Sequence, residues 1–131
     1  MQYSSDIRDA QNNAIETTVG ASPTLTVYSG TAPANCAAAD TGTVLATGTL
    51  PADWMAASAS GVVGKTGTWT LTGQSGAGAG TAGTHFRIKV GAACKIQGTF
   101  GVGQEMVPDN NSIANGQAVT INTFNITRGN G

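Results

Sequence analysis

Charge is scarce in this chain. Asp, Glu, Lys and Arg make up 10% of its 131 residues, against about 25% in an average globular domain. A net charge of −1 draws neither nucleic acid nor an anionic membrane, so neither is expected as a partner. Aromatics are few as well, at 5%, too few to build a stacking platform for bases or sugars. His85 is the one histidine, and there is no C-x-x-C pair or Cys/His cluster, so no zinc site and no cofactor are expected. No apolar run nears the ~20 residues of a membrane helix. Cys36 and Cys94 are too few for a disulfide framework, and nothing local brings them together. The opening MQYSSDIRDAQNN is polar and partly acidic, unlike a secretory signal. These features predict folding in a reducing cytoplasm with free thiols. There the sequons at Asn110 and Asn125 carry no meaning.

Thr, Ser, Asn, Gln, Gly and Ala fill the space that charge leaves. The length suits one domain with its own core. Residues 3–19, YSSDIRDAQNNAIETTV, read as a helix. Ser4 or Ser5 suits its N-cap, Asp6 the positive end of its dipole, and Gly20 its stop. Tyr3, Ile7, Ala10 and Ala14 recur at helical spacing as a thin apolar stripe. After Gly20 the period changes to two. TLTVYSG (24–30), TGTVLATGTL (41–50), TGTWTLTG (66–73), THFRIKV (84–90), ACKIQGTF (93–100) and AVTINTFNIT (118–127) read as strands, joined by loops rich in Gly, Ala, Pro and Asn. The expected organisation is a helical arm over 1–20 and a single mainly β domain over 21–131, an antiparallel β-sandwich or jelly roll. Trp69 alternates with threonines as a core residue would, while Trp54 fits core or ligand stacking.

Parity sets two finer expectations. A three-residue loop, Gly91-Ala92-Ala93, would place Val90 opposite Cys94, Ile88 opposite Ile96, Arg87 opposite Gln97 and Lys89 opposite Lys95. Cys94 would then be buried with Ile96. In the last strand, Val119 and Ile121 face one way and Phe124 and Ile126 the other. A bulge near Asn122-Thr123, or a passage from one sheet to another, would turn all four inward.

Two stretches imitate nucleotide sites. GAGTAG (78–83) fits G-x-G-x-x-G, but a strand pattern follows it, and no helix N-terminus is there to hold a pyrophosphate. ASGVVGKT (59–66) lacks the first glycine of a phosphate loop and also runs into a strand. No G-x-S-x-G elbow accompanies His85. Asp40, Asp53, Glu105 and Asp109 read as solvated loop carboxylates. No catalytic residue is expected.

Residues 1–60 set Arg8 against Asp6, Asp9, Glu16, Asp40 and Asp53, while residues 61–131 carry an excess of base. His85, Arg87 and Lys89 share one face of a strand, with Lys95 nearby on the next. This face reads either as a solvated surface or as a docking site for acid. The nearest acid in the pattern is the helix carrying Asp6, Asp9 and Glu16, with Tyr3 and Ile7 on its apolar stripe, from the same subunit or a neighbour.

The runs TLTVYSGTAPANCAAADTGTVLATGTLPADWMAA, AGTAGTHFRI and DNNSIANGQAVTINTFNIT resemble small virion proteins of tailed bacteriophages, and YSSDIRDAQNNAIETTVGASPTL is similar too. The resemblance covers nearly the whole chain. It implies a non-enzymatic structural protein, assembled in the host cytoplasm and resident in the virion. The implied role is a capsid decoration (cement) protein, a dimer or trimer on the major capsid protein. Neck, collar and tail components, including receptor-binding modules, are the alternative. It brings no catalytic or cofactor residues.

Overall fold

The computed structural model describes residues 1–129. Asn130 and Gly131, the end of the expected 21–131 domain, lie outside the described residues. The chain is mainly β with one N-terminal helix, α1 (Ser5–Val19). The strands are β1 (Thr24–Tyr28), β2 (Val44–Thr49), β3 (Val62–Gly64), β4 (Thr70–Gly73), β5 (Thr81–Ala82), β6 (His85–Val90), β7 (Ala93–Thr99), β8 (Met106–Pro108), β9 (Ser112–Ile113) and β10 (Ala118–Thr127). Eight of them form one antiparallel sheet curled into a half barrel, in the order β3-β10-β4-β2-β1-β6-β7 with β8 also on β10. The pair β5–β9 stands apart as a short ribbon.

The concave face is the core. Leu25 and Val27 of β1 sit opposite Ile88 and Phe86 of β6, and all four are buried together with Leu45, Leu71, Val119 and Ile121. An aromatic chain runs through it: Trp54 meets Trp69 at 6.1 Å between ring centroids, Trp69 meets Phe124 at 5.6 Å, and Phe124 meets Phe86 edge-on at 5.5 Å. Both tryptophans are fully buried. β10 has the expected bulge, its register against β8 shifting between Ile121 and Thr123. The shift lets Val119, Ile121 and Phe124 all face the core, with Ile126 packed beside them.

The β6–β7 hairpin departs from expectation. It turns on Gly91-Ala92, so Val90 pairs with Ala93 and Lys89 with Cys94. Gly91 has φ +59°, as the first central residue of a type II′ turn requires. The odd residue is absorbed by a bulge at Lys95, beyond which Ile88 pairs with Ile96 and Arg87 with Gln97, as parity predicts. Cys94 therefore shares the outer face with Lys89 and is only half-buried, and Lys95 is exposed and does not oppose Lys89.

The nucleotide-like stretches are turns. Ser60 and Gly61 have φ of +53° and +79°, the signature of a type I′ turn. Ala59 and Val62 close it with reciprocal bonds of 2.9 and 3.0 Å. Residues 78–83 run from a short 3-10 turn into β5 and then β6, and no helix follows them.

The helix docks by a face other than its predicted stripe. Ile7 is 46% exposed and Ala10 and Ala14 are exposed too. Polar groups hold it instead. Asp9 Oδ1 accepts from Gly61 N–H (2.7 Å) and Ser58 Oγ–H (2.8 Å). Buried Asn12 donates to Gly61 O (2.9 Å) and Ser58 Oγ (3.1 Å). Asn13 Oδ1 accepts from Ser58 N–H (2.8 Å). Glu16 Oε1 accepts from the amides of Trp54 (2.8 Å) and Met55 (3.1 Å), and the Trp54 indole donates to Gly20 O (3.0 Å). Ile15 and Val19 supply the apolar part of the contact. The helix thus anchors on the β3 side. A groove of about 630 Å³ remains between it and the β7 side, lined by Ala14, Ile15, Ile96 and Ile126 among others.

Asn12→Ala removes one of two donors on the buried Gly61 carbonyl, which keeps the Arg128 N–H, and should cost about 0.5–1.5 kcal/mol in urea unfolding. Ile7→Ala, on the exposed face, should change stability by less than about 0.5 kcal/mol.

Candidate functional site

The outer face of β1, β6 and β7 gathers three of the four basic residues singled out in the sequence, while Lys95 stands apart at its bulge. Strand alternation puts His85, Arg87 and Lys89 on one side, with Tyr28 and Thr26 beside them on β1. This face is not solvated. His85 and Arg87 are each 2% exposed and Tyr28 3%. They are covered by residues 30–43, a strap whose ends meet through the Ser29 N–H to Thr43 O bond of 3.0 Å, in the manner of an Ω-loop. Gly42 makes the neck possible: its φ is +78°, and a Cβ there would fall 1.8 Å from Ser29 O.

Arg87 is the hub. A guanidinium offers five N–H donors. Nη1 donates to Asp40 Oδ1 (2.7 Å) and Ala38 O (3.0 Å). Nη2 donates to Asn35 O (2.9 Å) and Gln97 Oε1 (2.9 Å). Nε donates to Gln97 Oε1 (3.1 Å). Gln97 in turn donates to Pro33 O (2.9 Å). Asn35 Oδ1 shapes the strap by accepting from the amides of Ala37 and Ala38. Lys89 Nζ donates to Asp40 Oδ2, completing a two-cation, one-carboxylate cluster. That Lys89 bond, and then Arg87, hold the Asp40 carboxyl below the usual carboxylate range.

His85 stacks on Tyr28, with centroids 5.1 Å apart and planes 9° from parallel. Thr84 Oγ1 donates to Gly30 O at 2.6 Å, so the 3.1 Å contact with His85 Nδ1 is donated by the ring. Nε2 is buried with no hydrogen-bond partner. Burial pushes the imidazole below its ordinary pKa, the carbonyls of Gly30 and Thr41 oppose this in part, and the Arg87 charge adds to the lowering.

A disulfide joins Cys36 of the strap to Cys94 of β7, with Cα atoms 5.1 Å apart. This overturns the expectation of free thiols. The Lys95 bulge is the reason: it turns Cys94 outward, under the strap, across a separation of 58 residues.

The acid that meets the basic face is therefore Asp40, not the helix. Asp9 and Glu16 are bonded to the 54–61 segment, Asp6 is exposed with the Ser4 hydroxyl on its carboxylate, and Tyr3 is half-buried just ahead of α1. Asp40, Tyr28, Asn35 and the two cysteines belong to the site though their sequence pattern reads as loop, or as strand for Tyr28 and Cys94. Among the described residues, no group of three or more His, Cys, Asp or Glu side chains is placed to hold a metal ion.

Arg87→Lys removes the planar fork and should cost about 1–3 kcal/mol, since one ammonium cannot reach all of these acceptors. The site also has a definite acid response. His85 is depressed from its ordinary 6.5 when folded, so the unfolded chain binds the proton first, and stability falls as pH drops from about 6.5 downward. Asp40 is depressed below its ordinary 3.8, so its contribution is present above that value and is lost only at lower pH. Urea midpoints measured against pH should show both steps, with His85→Gln removing the upper and Asp40→Asn reducing the lower, to which Asp9 and Asp6, also held below their ordinary value, contribute.

Comparison with protein-family models, with curated proteins and with solved structures gives no match, so function is argued from the fold and this face.

Proposed function

We propose that the chain is a non-enzymatic structural protein of a tailed-phage particle, a capsid decoration (cement) protein that clamps neighbouring major capsid subunits as a homo-oligomer, a dimer or trimer. The observation that carries this reading is how the fold spends its few charges. Arg87 and Lys89 are matched by Asp40, and Asp9 and Glu16 are taken up in docking the helix. What faces outward is largely Thr, Ala, Asn and Gly, with Val90 at a hairpin tip and Val102, 80% exposed, in the turn after β7. A rigid, polar, weakly charged surface suits fixed contact with protein, because little charge has to be desolvated when it is covered.

The curled sheet with its helix serves, in this reading, as the counterpart of the sandwich or jelly roll that the resemblance implies. Burial of both tryptophans supports it over a sugar-binding module, which needs aromatics on the surface. Binding only the assembled shell would stabilise that shell by mass action.

Quantitative mass spectrometry of the purified particle, ratioed to its major capsid protein, tests the assignment. The expected result is between one copy per capsid subunit and one per three. A ratio nearer one in a hundred would move the protein to the neck, collar or tail and end the decoration reading.

A further inference from the structure

The strap has almost nothing apolar to hold it down. Its sequence, GTAPANCAAADTGT, contains no side chain larger than Pro, Asn or Asp, and of its apolar residues only Pro33 is buried. It is retained by the Arg87, Gln97 and Lys89 bonds, by the Thr84 hydroxyl on Gly30, and by the disulfide. Ordering a residue costs about as much as one net hydrogen bond returns, or more. For a segment of this length the polar bonds alone leave little margin, and the covalent link decides whether the strap stays closed. Both cysteines are half-buried beside exposed Ala37, Ala92 and Ala93, within reach of a small thiolate.

We propose that Cys36–Cys94 is a redox latch, and that its reduction releases residues 30–43 as a unit while the sheet stays folded. The reductant is a dithiol. Its thiolate attacks one sulfur of the bridge to form a mixed disulfide, and its second thiol displaces that sulfur. The dithiol leaves as a cyclic disulfide, having supplied two electrons, and the two protons end on Cys36 and Cys94. The neck at Gly30 and Gly42 is the hinge, since both have φ above +75°. Asp40 departs with the strap, which uncovers Arg87, Lys89, His85 and Tyr28 as a cationic, aromatic-floored surface. The chemistry it would accept is a carboxylate, the group that Arg87 and Lys89 already hold. The latch is independent of the particle assignment.

Hydrogen exchange of the oxidised protein is compared with that of the same protein treated with dithiothreitol under native conditions, both thiols being confirmed by alkylation and mass. An arginine-directed dicarbonyl reports access to Arg87. The expected result is exchange at least about tenfold faster across 30–43, unchanged protection at Leu25, Leu71 and Val119, and labelling of Arg87 only after reduction. Strap exchange unaltered by reduction would overturn the latch, because the polar bonds would then suffice. Loss of protection across the whole sheet would overturn it equally, because the bridge would then be a staple for the domain rather than a latch for one segment.

Discussion

A guanidinium stays protonated at any pH a folded protein meets, and Arg87 is buried. That single constraint organises one side of the molecule. A buried charge without partners costs several kcal/mol, so every donor on Arg87 needs an acceptor, and the sheet supplies only Gln97. The remaining acceptors are two strap carbonyls and the Asp40 carboxylate. The path of residues 30–43 follows from those positions. Asn35 and Ala38 must turn their carbonyls inward, which the Asx turn at Asn35 arranges. Gln97 has to be steadied from behind, and Pro33 O steadies it. The disulfide sits at the outer margin of this network: the polar bonds set the shape of the strap, and the bridge keeps it closed.

The helix obeys similar logic. A strand-to-strand hairpin such as 54–66 leaves backbone groups at its turn and outer edge that no sheet neighbour satisfies. Asp9, Asn12, Asn13 and Glu16 lie one turn apart or less along α1 and answer those groups in order. Helix docking is thus a matter of matched hydrogen bonds at one side, with Ile15 and Val19 contributing apolar contact. It is directional, which sets the helix in one register against the turn at Ser60-Gly61.

Much of the sheet was legible because strand parity is a local property. The inward set Leu25, Val27, Phe86, Ile88, the Arg87–Gln97 pairing and the bulge in β10 all follow from counting residues by twos. The very short strands β3, β5, β8 and β9 have too few residues to show a period, and the half-barrel order depends on distant pairings that no window of sequence contains. In the β6–β7 hairpin a bulge and a longer loop are equivalent in parity, and only the turn chemistry of Gly91 separates them. The strap has the composition of a linker; its meaning lies in where its carbonyls point. The helix stripe misled for a related reason: hydrophobic periodicity ignores docking by carboxylates and amides.

β10 has a further consequence, for the order in which the molecule can be built. Its first residues pair with β4, its middle with β8 and its last with β3, and neither β3 nor β8 pairs with any other named strand. During synthesis β1, β2, β4, β6 and β7 can find each other as they emerge. The turn bearing β3, to which the helix is bonded, has no sheet to join until residues 125–127 exist. A seam strand this late in the order makes the closing contacts long-range, which slows the final step relative to hairpin formation. The half barrel is therefore a structure whose early chain waits, open and wet, for its C-terminal strand.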